Sequence, residues 1–277
     1  MDTKELAAAL ENVRKTVPLV HCITNYVTVN DCANALLGCG GSPIMSDEPA
    51  DVADIQTICG GLVLNIGTLN ERSIEGMRVA GAKAAELDHA IVLDPVGAGA
   101  SALRTKTAGE LIDTLPVTVV RGNMSEVKAV AGASASTRGV DVNPDDAVTD
   151  QNLAASAEFA RGLAAKLGCV VAITGAIDLI ASADRAVACR NGVALMGKMT
   201  GAGCVLSCLV GAYVTANRDD PFTATVAAIA GEGLAGQVAA GRMDELDGNG
   251  SFRTYLLDAI CNMTAEQLTA GAKVEEL

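Results

Sequence analysis

Short, mostly apolar runs alternate with amphipathic helical patterns along nearly the whole chain, and that rhythm limits the fold more than any other feature. The runs at 19–22, 62–65, 91–93, 117–120, 170–173, 179–181 and 186–189 are predicted as strands. Helical periodicity predicts helices near 3–15, 29–38, 50–59, 70–87, 104–114, 123–131, 150–167, 202–216, 221–240 and 251–260. Strand–helix alternation of this kind builds βαβ units, and βαβ units build a mainly parallel sheet with helices on both faces. Composition agrees. The chain is 50% hydrophobic but only 2% aromatic, with no Trp and 29 Gly. Its core must be Ala, Val, Leu and Ile in closely approaching elements, which suits helices on a parallel sheet better than a β-sandwich. Turn-like segments at 175–178 and 183–185 separate the last three runs and predict an antiparallel edge there. The polar stretch 132–150 reads as a surface loop. Neither a repeat nor a linker divides the 277 residues, so 1–277 is expected to form one α/β domain.

Charge and cysteine usage exclude several function classes. The net charge of −13 repels nucleic acid and anionic lipid surfaces. An anionic substrate would need local positive charge or a metal ion. The nine cysteines are odd in number, scattered, and never spaced as Cys-x-x-Cys, so neither a zinc site nor a disulfide framework is expected. Reduced thiols in the cytoplasm, mostly serving as small buried hydrophobes, are the expectation. The first residues read as a helix rather than a signal peptide. No apolar run reaches the ~18 residues of a membrane span.

The candidate chemistry gathers where strands should end. Met199-Thr200-Gly201-Ala202-Gly203-Cys204 precedes a strongly helical segment. A Gly-Ala-Gly turn lets backbone approach an anion, and the free N–H groups of the first helical turn point at it. Cys204 would then stand beside whatever the phosphate reacts with. Run 91–93 leads into Asp94-Pro95-Val96-Gly97-Ala98-Gly99, run 117–120 into Arg121-Gly122-Asn123-Met124-Ser125-Glu126, and run 170–173 into Thr174-Gly175. In open α/β sheets ligands bind outside the carboxyl ends of the strands, so these three ends would share one crevice. There Asp94 and Glu126 offer carboxylates for Mg²⁺, Arg121 offers fixed positive charge to a phosphate, and Thr174 offers a hydroxyl.

Each of these residues has a plainer explanation. Asp94 before Pro95 forms turns. Arg121 and Glu126 could be a solvated ion pair worth ~0–1 kcal/mol. Asn123 could cap a helix, with Glu126 closing a capping box. The Gly-Ala-Gly turn could simply allow close packing. Only the set as a whole favours phosphoryl transfer. A second polar group, His21–Val27 with Gly41–Met45, suggests a small-ligand surface, and Leu64-Asn65-Ile66-Gly67-Thr68 ends a strand beside it. Met45 could equally fill a core gap.

These pieces, with Thr200–Cys204, stand in the order found in hydroxyethylthiazole kinases of the ribokinase-like superfamily, and the resemblance covers about residues 15–260. It implies a ribokinase-like three-layer sandwich and ATP-dependent phosphorylation of the primary alcohol of 4-methyl-5-(2-hydroxyethyl)thiazole for thiamine biosynthesis. By resemblance Asp94 and Glu126 serve Mg²⁺, while Arg121, Thr174 and Asn123 bind ATP. Met45 and Gly201 contact the thiazole, with Asn25, Val27, Gly67 and Thr68 nearby. Gly201, Ala202, Gly203 and Cys204 form the catalytic turn. The family resemblance also implies a homotrimer with active sites between subunits.

Two positions depart from the wider pattern. Cys204 stands where the superfamily usually has an Asp general base, as it does in thiazole kinases. A thiol of pKa about 8.5 is mostly protonated at neutral pH unless the helix terminus lowers it. Ala176 replaces an acidic residue after Thr-Gly. Two other functions remain on the sequence: a nucleotide-dependent dehydratase of hydrated nicotinamide cofactors, whose members lack the His21–Asn25 and Ser42–Met45 pieces, and a non-catalytic thiazole or nucleotide sensor.

Overall fold

The computed structural model describes residues 1–133 and 147–277. Most of the polar stretch 132–150 therefore lies outside the described residues. One sheet of nine strands runs in the order β2-β1-β3-β4-β5-β6-β7-β8-β9. The first six positions are parallel: β2 (Ser42–Ile44), β1 (Leu19–Ile23), β3 (Gly61–Asn65), β4 (Ala90–Asp94), β5 (Val119–Gly122) and β6 (Val170–Ile173). The remaining three are antiparallel: β7 (Asp178–Ala181), β8 (Ala186–Cys189) and β9 (Val274–Glu276). The antiparallel edge falls where the closely spaced turns predicted it.

Helices cover both faces. Along β3, Val63 faces one apolar core while Leu62 and Leu64 face the other, as the two-residue period of a strand requires. The first core holds α1 (Thr3–Thr16), α2 (Val29–Cys39), α8 (Ala202–Ala216), α9 (Pro221–Gly241) and α10 (Asn249–Asn262). The second holds α4 (Glu71–Glu86), α5 (Ala102–Thr114), α6 (Met124–Ala133) and α7 (Leu153–Leu167), with Val52 at the start of α3 (Val52–Ile58). The result is a three-layer α/β sandwich. Its core is aliphatic, with Phe252 as the one aromatic among the largest fully buried side chains.

Among the described residues, and besides the 3₁₀ turn Ala194–Lys198, three elements were not predicted. β2 and β9 are short edge strands, and β2 contains Pro43, whose missing N–H is tolerated at an edge. The third is α11 (Ala265–Gly271), which opens on a capping box between Thr264 and Gln267. No described helix is long and apolar enough to cross a membrane.

Candidate active site

The chain winds outward from β1 to β2, then returns to place β3 on the other side of β1. That reversal opens a crevice at the carboxyl ends of the strands. Asn25 follows β1, Asn65 ends β3, Asp94 ends β4, Arg121 lies in β5 and Thr174 follows β6. Because these five strands are consecutive neighbours in the sheet, five polar side chains stand in a row along one edge.

Hydrogen bonds join the row into a network. Asn65 and Asp94 are register partners, and Asn65 Nδ2 donates to Asp94 Oδ2 at 2.8 Å. Asn25 Nδ2 donates to Asn65 Oδ1 at 3.1 Å. The Ser207 hydroxyl, from α8, donates to Asp94 Oδ2 at 2.7 Å, and Arg121 Nη1 lies 3.5 Å from the same oxygen. Arg121 Nη2 donates to Thr174 Oγ1 at 2.6 Å. Asp94 Oδ1, by contrast, is buried with no hydrogen-bond partner. Burial pushes the Asp94 carboxyl up to about 6, against the opposing pull of Arg121 and of the Ser207 hydroxyl.

The Gly-Ala-Gly turn begins α8. Gly201 has φ +87°, and a Cβ there would come within 2.2 Å of Thr28 Cγ2. A Cβ on Gly203 would fall 2.8 Å from Arg121 Nη1, which donates to the Gly203 carbonyl at 3.1 Å. Glycine is therefore required at 201 for its backbone conformation and at 203 for the approach of the guanidinium. Ala202 N donates back to Met199 O at 3.5 Å, and the first bond within the helix runs from Val205 N to Gly201 O at 2.9 Å. The earlier N–H groups of the first turn, those of Gly203 and Cys204, have no acceptor within the helix.

Cys204 is half-buried in that turn, and its sulfur accepts from Asn25 Nδ2 at 3.0 Å and Asn65 Nδ2 at 3.3 Å. Burial pushes the thiol up, and the nearby charge of Asp94 adds to that. The two amide donors pull the other way without overcoming it. The thiol thus stays protonated near neutrality rather than being ionised by the helix terminus.

Glu126 and Asn123 adopt the capping-box geometry. Asn123 Oδ1 accepts from Glu126 N at 2.9 Å, and Glu126 Oε2 accepts from Asn123 N at 2.9 Å. The other oxygen of Glu126 accepts from Gly97 N at 2.8 Å, which braces the loop after Asp94. Arg104 ties the same loop to the end of β3 through Val96 O and Gly67 O. Among the described residues, no three His, Cys, Asp or Glu side chains gather closely enough to hold a metal ion.

A cavity of about 590 Å³ opens beside Arg121 and Thr174, bounded by Gly201–Gly203 on one side and by Asn191 and Met196 on the other. Ala176 lies on its exposed rim. Asp178 and Glu232 also face it, and burial pushes their carboxyls up to about 6 and about 8.

The structure therefore brings together Asn25, Asp94, Arg121, Thr174 and Gly201–Cys204. Gly67 joins them, its N–H donating to Asn65 Oδ1 at 3.0 Å. Thr68 Oγ1 accepts from Tyr26 N at 3.3 Å, on the outer side of the same edge. Val27 is exposed, and Met45 is half-buried after β2, packed against the first core. Asn123 is not drawn into the cavity, because its side chain caps α6. Sequence reasoning placed the segment holding Asn65 beside the site but gave Asn65 itself no role, and it passed over Ser207, Arg104, Asp178 and Glu232. Only Asn65 had a signal, as the polar end of an apolar strand.

Comparison with known proteins identifies the family. The model of the hydroxyethylthiazole kinase family matches residues 10–266. A hydroxyethylthiazole kinase of Clostridium acetobutylicum is 49% identical over 270 residues, covering 98% of this chain and 99% of that protein. One from Methanocella arvoryzae is 46% identical over 277 residues, covering 99% of each. The solved structure of the hydroxyethylthiazole kinase protein from Pyrococcus horikoshii superimposes with a TM-score of 0.86 at 33% identity over 98% of both chains. Pyridoxal kinase from Staphylococcus aureus shares the fold at a TM-score of 0.63 and 14% identity, over 94% of this chain and 98% of that one. Matched over nearly its whole length by that family model and by these relatives, the chain belongs to the hydroxyethylthiazole kinase family.

Proposed function

We propose that this protein transfers the γ-phosphoryl group of ATP to the primary alcohol of 4-methyl-5-(2-hydroxyethyl)thiazole, as one kinase domain spanning 1–277. The observation that carries the site assignment is the convergence of Asp94, Arg121 and the α8 turn at adjoining strand ends. Phosphoryl transfer is mostly positioning and charge stabilisation, and these groups supply both. The triphosphate lies in the cavity, with Arg121 and Thr174 beside it and the first-turn N–H groups of α8 facing the transferred group. The thiazole lies toward Asn25, Gly67, Thr68, Val27 and Met45, with its hydroxyl near Cys204. That sulfur, held by Asn25 and Asn65, orients the alcohol, and its minor thiolate form accepts the alcohol proton, becoming the thiol.

Asp94 and Glu126 are the residues to hold Mg²⁺. The unpartnered Asp94 Oδ1 is a ready ligand for a hard cation that prefers oxygen donors. Held there, Mg²⁺ would supply positive charge against the phosphates. The exposed apolar residues Tyr26 and Val27, beside the thiazole end, fit a subunit contact there, and the homotrimer with sites completed between subunits is what the family resemblance implies. Nine unpaired cysteines fit the cytoplasm. Family membership leaves the dehydratase and sensor functions without support.

The test is ADP release by the purified protein with ATP and Mg²⁺, with and without the thiazole alcohol, with the product weighed by mass spectrometry. Thiazole-dependent ADP and a phosphothiazole of matching mass are expected. Folded, nucleotide-binding protein that forms no phosphothiazole would refute the assignment.

A further inference from the structure

Glu232 sits on α9 at 4% exposure, and its Oε1 is buried with no hydrogen-bond partner. It lines the same cavity as Arg121, Gly201 and Gly203. Arg121 Nε is likewise buried and unpartnered. One wall of the cavity thus presents an open N–H donor and an open carboxyl group, both removed from solvent. Buried polar atoms in native proteins are nearly always paired, so two orphans facing one cavity point to a ligand.

The position of Glu232 is fixed by packing. A Cβ on the adjoining Gly233 would lie 2.7 Å from Asn191 Cβ and 2.8 Å from the Asn191 carbonyl carbon, so α9 is pressed against the segment after β8. The helices α1, α8 and α10 meet α9 through apolar side chains such as Leu10, Leu209 and Phe252. The charges acting on Glu232 come from Arg121 on β5 and Asp178 on β7, and Arg190, after β8, also lines the cavity.

We propose that Glu232 belongs to the nucleotide site, its carboxyl group donating a hydrogen bond to a phosphate oxygen held at Arg121. An ionised carboxylate there would repel the phosphates, whereas a neutral acid offers them an O–H. Burial pushes the Glu232 carboxyl up to about 8, so the group carries its proton at neutral pH. The assignment rests on the kinase function proposed above, and it adds a residue that discriminates by protonation state.

The experiment is isothermal titration of the full-length protein with ADP and Mg²⁺ at pH 7 and pH 9, for wild type and Glu232→Gln. Gln keeps a donor and never ionises. Wild-type affinity should fall about tenfold more than that of Glu232→Gln between the two pH values, since one form of one group is lost. The nucleotide and Asp178 titrate alike in both proteins and cancel. Parallel pH profiles, or wild-type binding that tightens as pH rises, would overturn the proposal while leaving the kinase function standing. Absence of ADP binding by folded wild type at either pH would overturn both. If Glu232→Gln fails to fold, the wild type alone decides: titration at pH 8.5 in buffers of different ionisation enthalpy should show proton uptake on binding, and release or no exchange would refute the donor role.

Discussion

Cys204 carries the sharpest residue-scale consequence. Its thiol is raised by burial and by Asp94, so the thiolate is a minor form at neutral pH. Cys204→Ala should therefore slow kcat by less than ~10²-fold, the lower end of what a general base contributes. The variant should also lose any rise of kcat with pH that thiolate formation gives the wild type. A steady-state pH profile of both proteins checks this. Glu126 is different, because both its oxygens accept backbone N–H groups, from Gly97 and Asn123. Glu126→Gln leaves one of those N–H groups facing an amide NH₂. The expected outcome is a stability loss of about 1–3 kcal/mol together with a weaker response to Mg²⁺, read by denaturant unfolding and by a Mg²⁺ titration of turnover. A loss confined to turnover would show that the brace is dispensable.

At the scale of elements, the α8 turn couples the catalytic groups to α2. Gly201→Ala must place a Cβ against Thr28 at a positive φ, and is expected to cost about 1–3 kcal/mol. Gly241→Ala, at the end of α9 with nothing within 4 Å of its Cβ, should be neutral or stabilise by about 0.4–1 kcal/mol. Thermal unfolding of the two variants makes the comparison. The same elements show what the sequence could reveal. The seven apolar runs became strands because burial on both faces demands continuous apolar character, which is visible locally. β2 and β9 were hidden because a three-residue edge strand, with Pro43 in one case and two glutamates in the other, owes its existence to a neighbour far away in sequence. Asp94, Arg121 and Thr174 were legible as polar ends of apolar runs. Glu232 was not, because it lies inside an Ala- and Gly-rich helix whose role depends on which cavity that helix walls.

For the molecule as a whole, three cavity and crevice carboxyls are held above their ordinary values: Asp94 and Asp178 at about 6, and Glu232 at about 8. An acid whose folded pKa exceeds its unfolded one binds more protons in the native state. Stability from such a group is present at low pH and is lost as pH rises through the folded value. His21 opposes this only below its unfolded value near 6.5, since burial keeps its ring neutral. The unliganded protein should thus be more stable at pH 6.5 than at pH 8.5. Glu232 alone contributes about 2 kcal/mol of that difference, or roughly 3–4 °C in Tm. Scanning calorimetry at the two pH values tests the sign.

Seven of the nine cysteines are buried, Cys204 is half-covered, and Cys261 is exposed. With no tryptophan in the chain, ordinary fluorescence is a poor witness of its unfolding. The thiols can take that place. A small alkylating reagent should label Cys261 at once and Cys204 slowly, with thiazole alcohol protecting the latter. The other seven should react only as molecules open, so the count of labels per chain, read by mass, becomes a clock for the lifetime of the native state.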